Sequence, residues 1–375
     1  MKQFLIVSYA VHKQKNGLIF SYAPYVREMN LWLKHVDKVR VVAPLINGDP
    51  DPLDMAYVHP QLEFIPIPNL DFTSVASAVK SLCYIPVIFL ILFREMGITR
   101  HIHLRCPGNV GLLGLVVQMF FPRKYKTVKY ANNCDPRSQQ PFSYRIQKTI
   151  LRNQCLSQKM KVLVYGEWNE KSKNIVPFYT ASYTKVDRQE ISIRELNPKV
   201  PLQLLFVGTL TPNKRPHTAI KTVSALKRSG IDAHLTLIGD GFQYQSLMDL
   251  SRNEGISDRI LFTGKLSPAD VVAHFNQSHF LIFMSWSEGW PKVVAEAMWW
   301  GCVPVSTDVS CVKTMVGDGA RGLIISPDAD EVAQAIVKLL NHPSRYAEMA
   351  RNGMEWARQY HLERFEHDVS HMLHF

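Results

Sequence analysis

The chain alternates short apolar runs with amphipathic stretches, and this alternation occurs in two blocks. In the first block, runs rich in valine, isoleucine and aromatic residues are typical of parallel strands, which are covered on both faces. These runs are Phe4–Tyr9, Val39–Pro44, Lys126–Ala131 and Lys161–Tyr165. Between the first two, the amphipathic stretch Pro24–His35 predicts a helix.

The pattern restarts at Leu202 and continues through the second half of the chain. The predicted strands of this block are Leu202–Gly208, His234–Gly239, Ile260–Gly264, Phe280–Met284 and Val303–Ser306. The predicted helices are His217–Ser229, Gln243–Glu254, Ala269–Asn276, Pro291–Trp300, Glu331–Asn341 and Arg345–Tyr360.

Two blocks of alternating strands and helices predict an α/β protein with two doubly wound, Rossmann-like domains. The first would cover residues 1–197 and the second residues 198–354, because Pro198 and Pro201 interrupt regular structure between the blocks. We expect a C-terminal helix at about residues 355–375 to pack back onto the first domain. Ligands of such sheets bind beyond the carboxyl ends of the strands, which in a two-domain protein means the interdomain cleft.

The charge is distributed unevenly along the chain. Residues 1–200 carry 27 Lys and Arg against 14 Asp and Glu, a net charge of +13, whereas residues 201–375 carry 16 against 18, a net charge of −2. This asymmetry predicts an anionic partner for the first half, such as a cytoplasmic membrane surface or a phosphate-bearing substrate. No nucleic-acid-binding motif or aromatic-interleaved basic stripe is present, so nucleic acid is not expected as a partner.

Cysteine usage and apolar runs bear on the cellular compartment. The six cysteines form no C-x-x-C pair, and the apolar run at Phe4–Val7 is too short for a signal peptide. We therefore expect a cytoplasmic protein with reduced thiols. The longest apolar run, Leu82–Phe93, has twelve residues, whereas a membrane-spanning helix needs about 20. We interpret this run as a buried helix, with a segment that dips into the membrane interface as the alternative.

The stretch SWSEGWPKVVAEAM, residues 285–298, holds two glutamates around a turn. Pro291 suits the first turn of a helix, so Glu288 would lie in the preceding loop and Glu296 in the second helical turn. Backbone N–H groups at a helix start attract phosphate, and a carboxylate one turn further can accept hydrogen bonds from ribose hydroxyls. The spacing alone fits a solvated helix face equally well.

Two further strand ends carry candidate ligand-binding residues. The stretch FVGTLTPNKRP, residues 206–216, places Lys214 and Arg215 just before a helix, where cations could neutralise a diphosphate. A Lys-Arg pair on a loop is more often simply solvated. The stretch LIGDGF, residues 237–242, is a tight turn without the third glycine of a nicotinamide-cofactor fingerprint, so a hydride-transfer enzyme is not expected.

Together, these stretches resemble the retaining glycosyltransferases of family 4, which have the GT-B fold of two facing Rossmann-like domains. The resemblance covers about residues 202–365 and is weak across residues 1–200. The other matching stretches are ILFTGKLSPADVVAHFNQSHFLIFMSWSEGWPKVVAEAMWWGCVPV and GLIISPDADEVAQAIVKLL. The most specific element is the pair of glutamates separated by seven residues, followed by G-x-V-P.

Carried over by position, the resemblance implies that Glu296 binds the nucleotide ribose, Glu288 the donor sugar and Lys214 the diphosphate. Backbone near Gly264 and Leu266 would meet the base. The implied catalytic residues are Glu288, Lys214 and Arg215. The implied donor-binding set is Gly208, Thr209, Lys214, Gly239, Gly264, Leu266, Glu288, Gly289, Trp290, Pro291, Lys292 and Glu296.

The sequence departs from the family pattern at several positions. Thr209 stands where the family often has an arginine, so Arg215 or Lys292 would have to supply the second cation. The usual Gly-Gly loop after the first strand is reduced to Gly17. We expect the first domain to hold the acceptor, although local turn hydrogen bonding explains its polar strand-end residues equally well. The acceptor-side candidates are Gly17, Arg105, Asn133, Asp135 and Arg137.

The resemblance implies transfer of a sugar from a UDP- or GDP-sugar, with retention, to a glycan or lipid-linked glycan in cell-surface polysaccharide biosynthesis. No metal or other cofactor is expected, and we interpret the D-x-D triplet at Asp49-Pro50-Asp51 as a turn. The protein would be cytoplasmic, with peripheral contact to an anionic inner membrane face. The alternatives are a nucleotide-sugar epimerase of GT-B fold and a non-catalytic nucleotide-sugar binding protein.

Overall fold

A computed structural model describes residues 1–51, 53–133, 138, 140–168, 172–197 and 199–373. The chain forms two compact units: unit 1 comprises Met1–Thr180 with Glu363–Phe375, and unit 2 comprises Ala181–Leu362. The boundary between the two units, after Thr180, therefore comes earlier in the chain than the predicted boundary between residues 197 and 198. The physical reason is that the irregular segment after Ala181 packs with unit 2, since Ile193 and Leu196 join the apolar core of that unit.

Unit 1 contains a parallel sheet of seven strands. Its strands in chain order are β1 Gln3–Val7, β4 Lys38–Pro44, β6 Leu62–Ile67, β7 His101–Cys106, β8 Tyr125–Tyr130, β9 Met160–Tyr165 and β10 Ile175–Phe178. The spatial order is β10-β9-β8-β7-β1-β4-β6. Three short strands form a separate antiparallel sheet, β2 Lys13–Lys15, β3 Leu18–Tyr22 and β5 Asp54–Ala56.

The helices of unit 1 connect these strands. They are α1 Ala23–Leu33, α2 Val75–Ile98, α3 Asn109–Val117 and α4 Phe142–Arg152, with a short 3-10 turn at Gln118–Phe120. The last helix of the chain, α12 Leu362–Ser370, begins where the chain returns to unit 1. There, Phe365 meets the rings of Phe178 and Tyr179 at 5.4 and 6.0 Å. The segment that joins unit 1 begins at Glu363 rather than at about residue 355, because the preceding helix belongs to unit 2.

Unit 2 contains a parallel sheet of six strands in the order β13-β12-β11-β14-β15-β16. The strands are β11 Leu202–Val207, β12 Ala233–Ile238, β13 Ile260–Gly264, β14 Phe280–Phe283, β15 Val303–Ser306 and β16 Leu323–Ile324. The helices are α5 Pro216–Arg228, α6 Tyr244–Asn253, α7 Pro268–Gln277, α8 Lys292–Trp299, α9 Val312–Val316, α10 Ala329–Leu340 and α11 Pro343–Ala357, with a 3-10 turn at Ser257–Arg259.

The longest apolar run differs from its prediction. Leu82–Phe93 lies within α2, which has 24 residues and is long and apolar enough to cross a membrane by length and composition. Only 17% of its apolar 18-residue window is buried. The expectation of a buried helix is therefore wrong, because one stripe of α2 covers the sheet while the opposite face stays exposed.

Candidate functional site

The sheet of unit 2 reverses its strand order between β11 and β14. In open α/β sheets, ligands bind in the crevice at such a switch point, beyond the carboxyl ends of the strands. Lys214 follows β11 and Glu288 follows β14, and the ammonium of Lys214 forms a salt bridge with the Glu288 carboxylate. Both side chains are largely buried, with 24% and 12% of their surface exposed. Two predicted site residues thus meet across the switch point.

The loops that carry this ion pair are also joined by backbone contacts. The Trp286 N–H donates to the Asn213 carbonyl at 2.8 Å, and the Asn213 side chain donates to the Ser287 carbonyl at 3.1 Å. Asn213 was not predicted as a site residue, although it directly precedes Lys214. Its two bonds fix the loop after β11 against the loop after β14.

Arg215 directly follows Lys214, and its guanidinium lies over an indole ring. It adopts a left-handed backbone conformation with φ of 50° immediately before α5. Its guanidinium carbon lies 4.2 Å from the centre of the Trp286 ring. These two residues border an open groove of about 590 Å³. The sequence did not predict this groove. The groove is also lined by Ser285, Thr307, Asp308, Val309, Ile324, Ile325, Ser326 and Pro327.

Glycines allow the backbone to approach closely at the other strand ends of unit 2. A Cβ added to Gly239 would lie 1.9 Å from the Gly208 carbonyl oxygen, and Gly239 has a φ of +140°. The Gly239 N–H donates to the Gly264 carbonyl at 2.9 Å. The structure therefore brings together three predicted donor-binding glycines. Of the neighbouring predicted residues, Thr209 is exposed and Leu266 is partly buried.

The turn before α8 is held by side chains from the next strand end. Pro291 is the N-cap of α8, and the Ser310 hydroxyl donates to the Gly289 carbonyl. The Trp290 ring is stacked with the Trp356 ring at 6.5 Å. At the other end of the helix, Gly301 has a φ of +69°, as expected for a helix stop. Lys292 is the first residue of the helix, as the motif predicts to within one position.

Glu296 lies in the second turn of α8, and its carboxylate accepts a hydrogen bond from the Ser182 hydroxyl at 2.5 Å. The neighbouring Tyr183 packs against Trp299 and Trp300 at 5.2 and 5.4 Å. Burial, and then the negative charge of Glu296, raises the pKa of Tyr183 above its usual range. No local pattern links Ser182 to Glu296, so this partner could not be predicted from the sequence.

Unit 1 has its own switch point, between β1 and β7. Arg105 lies at the carboxyl end of β7, and its guanidinium carbon is 4.3 Å from the Tyr25 ring centre and 5.9 Å from that of Tyr9. Tyr9 follows β1, so an arginine and an aromatic ring meet across this switch point. Within the described part of the chain, no carboxylate forms an ion pair with Arg105.

A buried histidine, His12, packs against the Tyr25 ring at 6.4 Å and the Tyr57 ring at 5.6 Å. His12 Nδ1 lies 2.8 Å from the Ala10 carbonyl, and Nε2 lies 3.0 Å from the Tyr57 hydroxyl. Burial lowers the pKa of His12 to about 4. The ring is thus neutral at pH 7, with Nδ1 donating to Ala10 and Nε2 accepting from Tyr57.

The remaining acceptor-side candidates differ in position. Asn133 follows β8, the neighbour of β7, so it lies at the same sheet edge as Arg105. Gly17 does not, because it forms the turn of the β2–β3 hairpin and not a loop at the end of β1. The positions predicted at Asp135 and Arg137 lie outside the described residues.

The D-x-D triplet faces lysines of the same hairpin. Asp49 forms a salt bridge with Lys15 at 2.9 Å, and Asp51 pairs with Lys13. Lys13 also binds Asp54 at 3.0 Å. These contacts join the segment before β5 to β2, which is a structural use for both carboxylates.

Comparisons with known proteins agree with this architecture. The family model described as Glycosyl transferases group 1 matches residues 187–356. The alpha-D-kanosaminyltransferase of Streptomyces kanamyceticus is 28% identical over 150 residues, 40% of this chain and 39% of that protein. The chain thus matches about two fifths of the length of this curated relative.

Two solved structures share the fold over almost the whole chain. The sucrose-phosphate synthase of Thermosynechococcus elongatus has a TM-score of 0.67 at 17% identity, covering 99% of this chain and 98% of that one. Anabaena Alr3699/HepE in complex with UDP-glucose has a TM-score of 0.68 at 13% identity, covering 99% of both chains. The fold is that of the GT-B glycosyltransferases, and residues 187–356, a little under half of the chain, match the model of the glycosyl transferases group 1.

Proposed function

We propose that this protein is a retaining glycosyltransferase that moves a sugar from a UDP- or GDP-sugar to a glycan or lipid-linked glycan. The observation that carries the proposal is the Lys214–Glu288 pair at the switch point of unit 2. A cation for a diphosphate and a carboxylate for sugar hydroxyls stand side by side there. A sheet of this strand order binds nucleotides at that crevice. The similar fold of HepE, solved with UDP-glucose, supports a nucleotide-sugar donor.

Several of the predicted donor contacts are supported by their surroundings in unit 2. Glu296 would accept hydrogen bonds from the ribose hydroxyls, with the Ser182 hydroxyl fixing the orientation of its carboxylate. Gly208, Gly239 and Gly264 keep side chains away from the strand ends where the nucleotide would lie. Lys214 would exchange part of its contact with Glu288 for the diphosphate, leaving Glu288 to the sugar.

The proposed reaction follows from where charge develops. As the bond from the anomeric carbon to the donor phosphate breaks, negative charge grows on the phosphate and the sugar becomes oxocarbenium-like. A fixed cation at Lys214 stabilises that charge more in the transition state than in the ground state. The departing phosphate takes the proton of the acceptor hydroxyl as the new glycosidic bond forms on the same face. In this scheme no separate protein base is needed.

We place the acceptor on unit 1, at the switch point that Arg105 and Tyr9 border. A guanidinium held on aromatic faces, which forms no ion pair with a described carboxylate although the charge of Glu28 acts on it, suits an acceptor with an anionic group. A lipid-linked glycan carries such a group as its phosphate. A role in cell-surface polysaccharide biosynthesis, on the cytoplasmic side of a membrane, is consistent with this acceptor and with the net charge of +13 on residues 1–200.

We further propose that transfer needs no divalent metal. The carboxylates of the D-x-D triplet are engaged by Lys13 and Lys15, so they have a structural role already. Lys214 and Arg215 would supply the positive charge instead. Turnover that is abolished by a chelator and restored by a divalent cation would contradict this part of the proposal.

The test is a panel of UDP- and GDP-sugars with the intact chain. Thermal shift identifies the donor, and turnover with lipid-linked glycans identifies the acceptor, with the product anomer read by NMR. We expect one nucleotide sugar to stabilise the protein and to be consumed only with acceptor, with retention. Donor conversion without acceptor would favour an epimerase, and donor binding without turnover would favour a binding protein. Inversion at the anomeric carbon would contradict the retaining mechanism.

A further inference from the structure

The outer face of α2 is apolar where a helix on a water-exposed sheet is ordinarily polar. Ile88, Leu92 and Met96 are fully buried against the sheet of unit 1. On the opposite face the large apolar side chains stay exposed, with Leu90 at 67% and Leu82 at 57%. The complete exposed apolar set of α2 is Val75, Val79, Leu82, Val87, Leu90, Phe93 and Ile98. A helix that is apolar on all sides belongs in a larger core or in a membrane.

The apolar surface extends beyond α2 itself. Phe120, in the 3-10 turn after α3, is 61% exposed. Its ring lies 6.1 Å from that of Phe89 and 5.9 Å from that of Phe93. We call the exposed set of α2 together with Phe120 the α2 face. One contiguous apolar surface of this kind marks an interaction site rather than scattered exposure.

The charges around the α2 face are mostly positive. Between Asp71 and Lys124 the sequence has six Lys and Arg but two acidic residues, Asp71 and Glu95. Glu95 is buried on the sheet side, where Arg40 binds it. Four exposed cations lie on α2, shortly after it, or shortly after the 3-10 turn that carries Phe120, namely Lys80, Arg94, Arg100 and Arg123. An apolar face with basic residues is complementary to an anionic bilayer, whose headgroups attract Lys and Arg.

The C-terminus of α2 is fixed by a further lysine. Lys124 donates from its Nζ to the carbonyls of Met96 and Thr99 at 2.5 and 2.6 Å. A cation there stabilises the helix end through the helix dipole. Lys124 also holds α2 beside the amino end of β8. At that end of the strand, an open pocket of about 460 Å³ is lined by Lys126, Lys159, Lys161 and Lys173. Positive charge therefore continues along this edge of the sheet.

The connectivity excludes a transmembrane role for α2 in this fold. The helix connects β6 to β7, and both strands belong to the same parallel sheet. Its inner stripe is packed on that sheet through Ile88, Leu92 and Met96, so lipid cannot surround it. A helix of this kind lies in the plane of the interface, with its free face in the boundary between headgroups and acyl chains.

We infer that the α2 face inserts into the surface of an anionic membrane and holds unit 1 against it. This inference does not depend on the proposed transfer reaction, because it concerns a surface on the side of the sheet covered by α2 and can be measured without donor or acceptor. The occupant is the bilayer itself rather than a partner protein.

The first test is flotation of the intact chain with vesicles that contain phosphatidylglycerol, against vesicles of phosphatidylcholine alone. We expect binding to the anionic vesicles that weakens with salt. The double variant Leu82→Gln/Leu90→Gln should bind at least about tenfold more weakly, since it removes two apolar side chains from the membrane boundary. The matched control Val58→Gln/Leu261→Gln changes residues that are 73% and 55% exposed outside the α2 face and should bind as the parent does.

Absence of parental binding, or equal binding by Leu82→Gln/Leu90→Gln, would overturn the inference. A parent that forms dimers, with the dimers lost in this variant and no vesicle binding, would assign the α2 face to self-association instead. The unfolding midpoint of each variant verifies that it is folded, and nucleotide binding is measured separately so that loss of membrane binding and failure of the proposed function are distinguished.

The second test uses two exposed thiols. Cys83 lies on the outer side of α2, whereas Cys155 is exposed elsewhere in unit 1. An environment-sensitive fluorophore is attached to Cys83 in a Cys134→Ser/Cys155→Ser chain, and to Cys155 in a Cys83→Ser/Cys134→Ser chain. We expect a blue shift on addition of anionic vesicles for the label at Cys83 only. No shift at Cys83, or equal shifts at both positions, would contradict insertion of this face.

Discussion

Each of the two sheets has a cation at its switch point, but the groups that surround the cation differ. In unit 2, Lys214 is neutralised by Glu288 across the switch point between β11 and β14. In unit 1, Arg105 lies on the rings of Tyr25 and Tyr9 at the switch point between β1 and β7. A ligand of Lys214 must compete with a carboxylate, whereas a ligand of Arg105 meets a cation held by aromatic faces. This difference suits a tightly placed diphosphate in unit 2 and an anionic acceptor group in unit 1.

The largest expected effect is at the cation of unit 2. Lys214→Met should lower kcat by about 10²–10³-fold, because one preformed charge at the leaving group is lost. Steady-state kinetics with the identified donor and acceptor measure it. Lys221→Gln, an exposed lysine on α5, is the matched control and should leave kcat unchanged. Equal rates for Lys214→Met and the parent would remove Lys214 from the chemistry.

The next largest effect is expected on stability, from a substitution at Gly239, whose backbone lies against that of Gly208. Gly239→Ala would place a Cβ 1.9 Å from the Gly208 carbonyl, and we expect a loss of stability of about 3 kcal/mol. Gly255→Ala also has a positive φ, of +63°, but nothing lies within 4 Å of the added atom. It should cost about 1 kcal/mol, the backbone strain alone. Denaturant unfolding of both variants tests the difference, and similar losses would contradict the steric argument.

Replacement of the unit 1 cation, Arg105, should weaken binding of the acceptor rather than binding of the donor. We expect Arg105→Gln to raise KM for an anionic acceptor about tenfold, with donor affinity unchanged. Arg105→Lys should recover part of the loss, since it keeps the charge but not the planar guanidinium. An effect on donor affinity instead would end the assignment of the two switch points to two substrates.

A smaller effect is expected from a buried cation at the opposite edge of the unit 1 sheet. Lys126 is 2% exposed, and burial, with a contribution from Lys159, lowers its pKa from 10.5 to about 8. Below pH 8 the lysine is charged in both the folded and the unfolded chain, so folding bears the full desolvation cost. Above pH 10.5 it is neutral in both, and that cost disappears.

Lys126→Met should therefore stabilise the protein at pH 7, by about 1 kcal/mol after loss of the bond from Nζ to the Gln158 carbonyl. The advantage should shrink as the pH rises from 8 to 10.5. Thermal unfolding at several pH values measures it. A variant that is less stable than the parent at pH 7, or an advantage that grows with pH, would contradict this account.

Much of unit 2 could be predicted because its signals are local. The strand Ile260–Gly264 has the bounds that the sequence predicts, and α8 begins one residue after its predicted start at Pro291. Apolar runs, a proline at the helix start and Gly301 at its end suffice for this. Contacts between residues far apart, such as Ser182 with Glu296, leave no local pattern.

Unit 1 was less predictable for physical reasons. The run His101–Cys106 forms a central strand although histidine and arginine interrupt it, because His101 and His103 both reach the Thr127 hydroxyl. Gly17 belongs to a hairpin whose register is set by strand pairing, not by β1. Amphipathic periodicity also does not find α2, since its exposed face is as apolar as its buried one.

The most direct test of the central claim is calorimetric titration of UDP and of GDP into Lys214→Met and Glu288→Gln. If Lys214 is the diphosphate cation and Glu288 its competing carboxylate, the two variants should shift affinity in opposite directions. We expect Lys214→Met to bind the preferred nucleotide about tenfold more weakly than the parent, and Glu288→Gln to bind it more tightly. Unchanged affinity in both variants, or a change in the same direction, would contradict a nucleotide diphosphate at the switch point of unit 2.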